Sequence, residues 1–303
     1  MKIRPLRFWG WPWELHKNGI LGINSRNLNY LFELNPRSLY RLVDDKTVTK
    51  KLCKEQGIPV PETYAIIERF GDLRKLPEII GERQEFVVKP AGGSGGRGVL
   101  VIAGRNGNMF RIFKEGVLSL VELRYHISTT LSGLYSLGGQ PDHVILEERI
   151  EPHPVFENLA VGGTPDIRII TFRGHSVIAM LRLPTRASRG RANLHQGAAA
   201  AGIDMGTGRT IGGVCRNRVI DVHPDTGALI SGLAIPYWDK MLEISSKLSE
   251  VIRLGYAGID FVVDINRGPV VLEVNARPGL SVQIANKSGL LPMLERLENA
   301  LSN

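Results

Sequence analysis

Residues 258–279 read GIDFVVDINRGPVVLEVNARPG, two apolar runs on either side of a turn at 266–269. This pattern predicts a β-hairpin, and each run contains a carboxylate that apolar periodicity does not explain, Asp260 and Glu273. Because strand side chains alternate between faces, Glu273 and Asn275 share one face, and the hairpin register can bring Asp260 beside them. Two carboxylates and an amide oxygen suit Mg²⁺, with phosphate oxygens as further ligands. The alternative is a hairpin with exposed acids and a helix cap at Asn275.

The composition is that of an ordinary globular protein. The chain has 303 residues, of which 43% are hydrophobic and 22% are charged. It contains no transmembrane candidate, and its first residues lack the apolar core of a signal peptide. Its two cysteines are too few and too isolated for a disulfide framework or a zinc site. We therefore expect a cytoplasmic protein.

The charge balance points to anionic partners. The formal net charge is +8, but the lysines and arginines are scattered and form no basic block or nucleic-acid signature. We expect no nucleic-acid partner. An anionic small molecule or an acidic peptide accounts for the charge instead.

The N-terminal segment is rich in tryptophan and is predicted to be irregular as far as about residue 35. Three of the four tryptophans of the chain lie close together, Trp9, Trp11 and Trp13. The cluster can be a plug packed against another domain, or an exposed surface that docks a partner or a lipid interface. Exposed aromatic clusters are uncommon on monomers, so we favour the plug.

A second motif, EFVVKPAGGSGGRGVLVI at 85–102, places five glycines between two predicted strands. Backbone N–H groups in such a loop can approach phosphate oxygens closely, because no Cβ blocks them. Lys89 ends the first strand, where it can reach phosphates as a point charge. The loop is not a P-loop, since a strand follows it and no Gly-Lys-Ser/Thr is present. A flexible surface turn is the alternative.

Between these motifs lie a predicted hairpin at 165–183 around Gly174 and a long polar loop at 185–197. Arg168 and Arg182 interrupt the apolar strands of the hairpin. An arginine in that position pairs with a carboxylate or an anionic ligand, or lies on a solvated face. Long loops in compact domains are often functional, although we interpret His195 as a structural hydrogen-bonding group rather than a general base.

Apolar spacing and turn residues also predict several helices. These are 44–55, ended by Gly57; 69–80; 115–135; 237–254, capped by Gly255; and 290–301.

Together these features resemble the ATP-grasp ligases, and within them the RimK-type glutamate ligases. The resemblance covers roughly residues 40 to 290 and is carried by four stretches: FVVKP at 86–90, DIR at 166–168, NLHQG at 193–197 and LEVNARPG at 272–279. It implies an α+β ATP-grasp fold, in which two α+β subdomains sandwich the nucleotide.

The resemblance also suggests three regions. They are a tryptophan-rich segment at 1–40, an N-terminal lobe with a glycine-rich lid at 41–150 and a C-terminal lobe with the magnesium site at 151–303. RimK-type enzymes usually carry a full α/β domain ahead of the ATP-grasp lobes. Because only about forty residues precede Lys46, we expect a truncated pre-grasp region here.

Residue roles follow from the resemblance. It assigns nucleotide binding to Lys46 and Lys89 at the phosphates, to Gly93, Ser94, Gly95, Gly96 and Gly98 in the lid, to Glu147, Glu148, Arg149 and Ile150 at the adenine hinge, and to the acid Asp166. It assigns catalysis to Arg182, Arg191, Asn193 and Arg277. The implied metal ligands are Asp260, Glu273 and Asn275, with Asp264 as the competitor of Asp260. The implied ions are two Mg²⁺, with Mn²⁺ as a substitute.

The implied reaction is ATP-dependent ligation of a carboxylate to an amine. The γ-phosphate of ATP passes to the carboxylate, and an amine attacks the acylphosphate to give an amide, ADP and phosphate. The expected substrates are glutamate or another amino acid and a peptide or small acidic acceptor. A phosphotransferase and a non-catalytic nucleotide-binding module are the alternatives, nucleic-acid binding ranks last, and a homo-oligomer is left open.

Overall fold

The structure, a computed structural model, describes residues 11–93, 95–113 and 116–302. Within these residues the chain forms two antiparallel sheets. The first has the strand order β1-β6-β2-β3-β4-β5. Its strands are β1 (Thr63–Ile67), β2 (Glu85–Pro90), β3 (Leu100–Asn106), β4 (Met109–Ile112), β5 (Gly116–Ser119) and β6 (Val144–Glu147).

The second sheet contains the two predicted hairpins, both of which the structure confirms. Its order is β11-β10-β9-β8-β7-β12-β13. Its strands are β7 (Asp166–Phe172), β8 (His175–Leu183), β9 (Ala199–Ile203), β10 (Thr210–Cys215), β11 (Arg218–Ile220), β12 (Tyr256–Asp264) and β13 (Gly268–Asn275).

Helices pack on both sheets. In the described part of the chain they are α1 (Pro12–Lys17), α2 (Ile23–Arg26), α3 (Phe32–Leu34), α4 (Arg41–Asp44), α5 (Lys46–Glu55), α6 (Leu76–Ile80), α7 (Leu120–Leu131), α8 (Trp238–Ile252), α9 (Ser281–Asn286) and α10 (Leu291–Ser302). None of them combines the length and the apolar character that crossing a bilayer requires.

Much of both faces of the second sheet is covered, which explains the long apolar runs of its strands. The rest of one face borders the cleft described below. On one face, Ile167 and Ile169 of β7 pack with α8. On the other face, Ile170 and Phe172 pack with the N-terminal segment, α9 and α10. Every residue of β12 is buried. A charged side chain in this strand therefore needs partners.

The first sheet has one covered face and one face turned to the cleft described below. Phe86 and Val88 of β2 join α6 and α7 in an apolar core. Val87 and Lys89, which alternate with them, line the cleft. The period of two along β2 thus places Lys89 on the open side of the sheet.

The prediction that the N-terminal segment is irregular is wrong, because the segment contains helices from residue 12 onward. Its elements α1 to α3 are short, and a single π-helical turn joins α2 to α3. Tyr30 and Leu31 pack into the second sheet's core. The buried amide of Asn35 donates to the carbonyl oxygens of Tyr256, at 2.6 Å, and Ala276, at 2.9 Å, and accepts from the Tyr256 N–H. The segment is therefore an integral part of the second sheet's core.

The prediction that the tryptophans form a packed plug is also wrong for the two tryptophans that the structure describes. Trp11 and Trp13 stack on each other, with ring centroids 4.7 Å apart, and are 51% and 56% exposed. Trp9 lies outside the described residues.

The structure corrects two of the predicted helices and adds one. The helix predicted at 115–135 begins only at Leu120, because β5 precedes it. The helix α8 ends on Arg253, which adopts the left-handed conformation, and not on Gly255. Gly255 instead packs against Leu34, where a Cβ would lie 2.7 Å from the Leu34 Cβ. The helix α9 was not predicted. The region boundaries at residues 40 and 150 stay predictions.

We expect Asn35→Ala to lower the free energy of unfolding by about 3 kcal/mol, because it leaves three buried backbone groups without partners. Chemical denaturation measures this change. Asn29→Ala, on the exposed side of the same segment, is the matched control and should change stability by less than about 0.5 kcal/mol. Equal effects of the two substitutions would contradict the role given to Asn35.

Candidate active site

A cleft of about 770 Å³ lies between the two sheets and is lined by residues of both. It brings together the following predicted site residues: Lys46, Lys89, Gly93, Gly95, Gly96, Glu147, Glu148, Arg149, Ile150, Asp166, Arg182, Arg191, Asn193, Asp260, Glu273, Asn275 and Arg277. Gly98 does not line the cleft but packs at the root of the glycine loop, where a Cβ would lie 2.4 Å from the Tyr135 ring. Ser94 lies outside the described residues.

The hairpin of β12 and β13 brings its polar groups together as predicted. Asp260 lies directly opposite Glu273 in the antiparallel register. The Asn275 Nδ2 is 3.3 Å from Asp260 Oδ2 and 3.3 Å from Glu273 Oε1. Asp264 lies at the far end of β12, where its Oδ1 accepts hydrogen bonds from two backbone N–H groups of the turn. The structure therefore gives Asp264 a turn-capping role and places Asp260 in the cleft.

Two arginines hold the Asp260 carboxylate. Arg168 Nε and Nη2 donate to its two oxygens at 2.7 and 2.6 Å, and Arg182 Nη2 donates at 2.8 Å. Arg182 Nε also donates to Asp166. Of the two alternatives for these arginines, the structure shows pairing with carboxylates. Four charges on the adjacent strands β7, β8 and β12 thus form one buried network.

The network sets the protonation of its acids. Burial opposes ionisation of Asp260, but Arg168 and Arg182 outweigh it and hold the pKa of Asp260 below its ordinary value. Burial raises the pKa of Asp166 to about 7, against the opposing charge of Arg182. Burial disfavours the charged form of Arg182, but the two aspartates dominate and raise its pKa. Asp260 therefore stays ionised at neutral pH, while Asp166 is the more readily protonated acid.

A second buried network lies on the opposite wall of the cleft. Glu147, at the end of β6, binds Lys50 at 2.5 Å and Lys89 at 2.6 Å. Burial opposes ionisation of Glu147, but the two ammonium groups outweigh it and lower its pKa. Burial also lowers the pKa of Lys50 to about 8. The predicted hinge residue Glu147 thus uses its side chain to neutralise two lysines.

Sequence reasoning missed Lys50. The signal that could have found it is its position one helical turn after Lys46 in α5, which puts the two ammonium groups on the same face. Lys46 itself donates to the backbone oxygen of Gly93 and lies 3.7 Å from Glu273. Burial lowers the pKa of Lys46. This lysine therefore connects the glycine loop to the hairpin across the cleft.

The glycine loop closes one side of the cleft. Gly95, Gly96 and Gly98 have φ values of +65°, +70° and +73°, which side chains rarely adopt. The Gly95 carbonyl accepts a hydrogen bond of 3.4 Å from Gln196 Nε2 in the polar loop. Arg191 Nη1 donates to Gln196 Oε1 at 3.2 Å. The two predicted loops thus meet across the cleft.

The other end of the lining is apolar. Val87 and Val101 contribute from the first sheet, and Val262 and Leu272 contribute from the second. Ile150 packs with Val262 and Leu272. The neighbouring side chains of Glu148 and Arg149 form ion pairs with Arg267 and Glu85. The cleft therefore combines an apolar slot with a strongly charged region, as a ligand with a flat base and phosphates requires.

Arg277 follows the hairpin and borders the cleft. Its Nη2 binds both carboxylate oxygens of Asp44, at 2.7 and 2.8 Å, and its guanidinium lies 4.6 Å from the Tyr40 ring centroid. Asn193 caps the short helix that follows it by accepting from the His195 N–H at 3.0 Å. The catalytic roles predicted for these residues stay predictions.

The side chains present fit a hard divalent cation only together with a ligand. Among the described residues there is no group of three or more His, Cys, Asp or Glu side chains that could hold a metal ion. Asp260, Glu273 and Asn275 supply two carboxylates and one amide, and Asp260 is shared with two arginines. Such a set suits Mg²⁺ when phosphate oxygens complete the coordination.

A family model described as sugar-transfer associated ATP-grasp matches residues 25–299. The chain belongs to this ATP-grasp family. Membership confirms the predicted fold, and two sheets that enclose a charged cleft are consistent with it. Our prediction of an ATP-grasp enzyme agrees with this family.

Two glutamate ligases are similar to the chain at about one quarter sequence identity. The ribosomal protein bS6–L-glutamate ligase of Shigella boydii serotype 4 (strain Sb227) is 26% identical over 249 residues, or 82% of this chain and 61% of that protein. A probable alpha-L-glutamate ligase of Enterobacter sp. (strain 638) is 25% identical over the same shares. The chain thus spans about three fifths of the length of these relatives. The structure of the D-cycloserine synthetase DcsG matches with a TM-score of 0.49 and 16% identity, covering 88% of this chain and 73% of that one.

We expect Glu147→Gln to lower the free energy of unfolding by about 3–5 kcal/mol, because it leaves two buried ammonium groups without a counter-charge. Urea denaturation measures the change. Glu148→Gln removes the adjacent, more exposed ion pair and should cost about 0–1 kcal/mol.

The stability difference between wild type and Glu147→Gln should also depend on pH. Because the folded-state pKa of Glu147 lies below its ordinary value of 4.5, its contribution is complete above that pH and is lost as the pH falls through the lowered pKa. The stability difference between wild type and Glu147→Gln should therefore narrow below about pH 4.5. A difference that grows with acidification would refute the assignment.

Proposed function

We propose that the protein is an ATP-dependent carboxylate–amine ligase that works through an acylphosphate and releases ADP and phosphate. The observation that carries the proposal is the convergence of lysines from one wall and acids from the other on a single cleft, in a chain of the ATP-grasp family. The bS6–L-glutamate ligases, to which the chain is similar, bear names of the same reaction class.

We place the adenine and the phosphates of the nucleotide in the apolar and the charged parts of the cleft, respectively. Adenine occupies the apolar slot beside Val101, Ile150 and Leu272, with backbone groups of residues 147–150 at its edge. The phosphates lie between Lys46, Lys89 and the glycine loop. Lys89 is already held in place by Glu147, so it loses little conformational freedom when the nucleotide binds.

Asp260, Glu273 and Asn275 would hold Mg²⁺ at the phosphates. When bound, the ion offsets the charge that develops on the transferred phosphoryl group. Arg168 and Arg182 keep Asp260 ionised and correctly oriented for this role. Arg182 is thus better suited to positioning Asp260 than to direct contact with the acylphosphate.

The acceptor carboxylate attacks the γ-phosphorus, and the bond from this phosphorus to the ADP oxygen breaks. Arg191, Asn193 and Arg277 are our candidates for contact with the acceptor and the acylphosphate. The amine then attacks the acyl carbon, and phosphate leaves as the amide forms. The contact between Gln196 and Gly95 closes the loops over the reacting groups and limits hydrolysis of the intermediate.

The proposed substrates are glutamate or another amino acid as the amine and a peptide or small acid as the acceptor. The test is a screen of amino acids and acidic peptides for ADP release, followed by mass measurement of the product. We expect ADP only when both substrates are present, together with a product heavier by one amide-linked unit. Formation of AMP and pyrophosphate, or of a stable phosphorylated product, would contradict the proposal.

We expect Glu273→Gln to reduce Mg²⁺-dependent ADP formation by about 100-fold or more, since one carboxylate of the phosphate-side site is lost. Because Glu273 is partly exposed and lies at the cleft, the thermal unfolding midpoint of the Glu273→Gln variant should stay close to that of wild type. Glu250→Gln, an exposed carboxylate on α8, should retain full activity. Undiminished turnover in Glu273→Gln would overturn the metal assignment.

A further inference from the structure

A second cavity, of about 360 Å³, opens beside the cleft and shares Arg277 with it. The N-terminal segment provides the remaining lining, including Arg26, Phe32, Arg37 and Tyr40. Arg277 follows Asn275 by two positions, so this N-terminal pocket adjoins the proposed metal end of the cleft and not its apolar slot. Of the predicted site residues that the structure describes, only Arg277 lines it.

Arg26 is the most informative residue of the N-terminal pocket. It is only 8% exposed, and its guanidinium donates to the carbonyl oxygen of Pro278 at 2.7 Å and to Asn27 Oδ1 at 3.1 and 2.7 Å. Within the described residues it has no carboxylate partner. A buried guanidinium without a counter-charge is costly, and an anionic ligand would supply one.

The other two arginines add to the same local charge. Arg37 is exposed, has no carboxylate partner in the described part of the chain and lies 6.0 Å from the Phe32 ring centroid. In the part of the chain that the structure describes, Arg277 hydrogen-bonds only through Nη2, to Asp44, which leaves its other donors for a ligand. Phe32 is 61% exposed, and Tyr40 lies under Arg277. The pocket therefore offers three guanidinium groups beside two aromatic rings.

We propose that the N-terminal pocket binds the acceptor substrate through a second anionic group, a carboxylate or a phosphate, remote from the carboxylate that is activated. This proposal rests on the proposed ligase function. It assigns the acceptor to a class: small molecules that carry two anionic groups, of which one reaches the phosphates at Glu273 and the other reaches Arg26 and Arg37. In this chain the N-terminal segment thus forms part of the acceptor site.

The test measures binding to the full chain with Mg²⁺ and the non-hydrolysable nucleotide AMPPNP present, so that the phosphate region of the cleft is filled. Glutarate is the dicarboxylate probe and glycerol phosphate is the phosphate probe. Thermal-shift titrations at constant ionic strength give the dissociation constants. We expect saturable binding of at least one probe, and the tighter one identifies the second anionic group.

The variants are Arg26→Gln and Arg37→Gln, with Arg41→Gln as the matched control. Arg41 is an exposed arginine on the adjacent helix α4 and does not line the pocket. Probe binding should weaken about tenfold in each pocket variant and stay unchanged in Arg41→Gln. If Arg26→Gln fails to fold, Arg37→Gln decides the outcome, since its side chain is exposed.

The proposal is overturned if neither probe binds to the wild type, or if Arg41→Gln weakens binding as much as Arg37→Gln. Failure of the ligase function is visible separately. It would appear as a lack of AMPPNP binding or of amide product, whatever the probes do.

Discussion

The buried carboxylate of Asp260 connects strands β7, β8 and β12 of the second sheet. Three hydrogen bonds from Arg168 and Arg182 hold it, and Arg182 extends the network to Asp166. Each of these charges would be costly to bury alone, so the network is stable only when complete. Because Asp260 also lies opposite Glu273, the interaction that satisfies the buried charges places the acids at the cleft surface.

Both walls of the cleft neutralise buried charges, but the charges that are neutralised have opposite signs. On the first wall one carboxylate, Glu147, neutralises Lys50 and Lys89. On the second wall the arginines neutralise acids. Both arrangements fix charged groups in advance, so binding a highly charged ligand requires little reorganisation. Lys46 spans the gap between the walls, through the Gly93 carbonyl and Glu273.

Apolar runs on either side of turn residues made the hairpins predictable, and five glycines between two such runs made the glycine loop predictable. Strand alternation put Glu273 and Asn275 on one face, and the hairpin register could bring Asp260, an unexplained carboxylate in an apolar run, beside them. Lys50 escaped prediction because a lysine in an amphipathic helix ordinarily faces water. The N-terminal segment escaped because helices of three to six residues have no readable period. Its Arg26 and Arg37 meet Arg277 only through tertiary packing.

In the proposed reaction the acceptor carboxylate is phosphorylated before the amide forms. The most direct measurement uses an acceptor that supports turnover, labelled with ¹⁸O in both carboxylate oxygens, and mass analysis of the released phosphate. We expect one ¹⁸O atom in each phosphate released, because the transferred phosphoryl group leaves with a carboxylate oxygen. ADP and amide formed with unlabelled phosphate would rule out an acylphosphate intermediate.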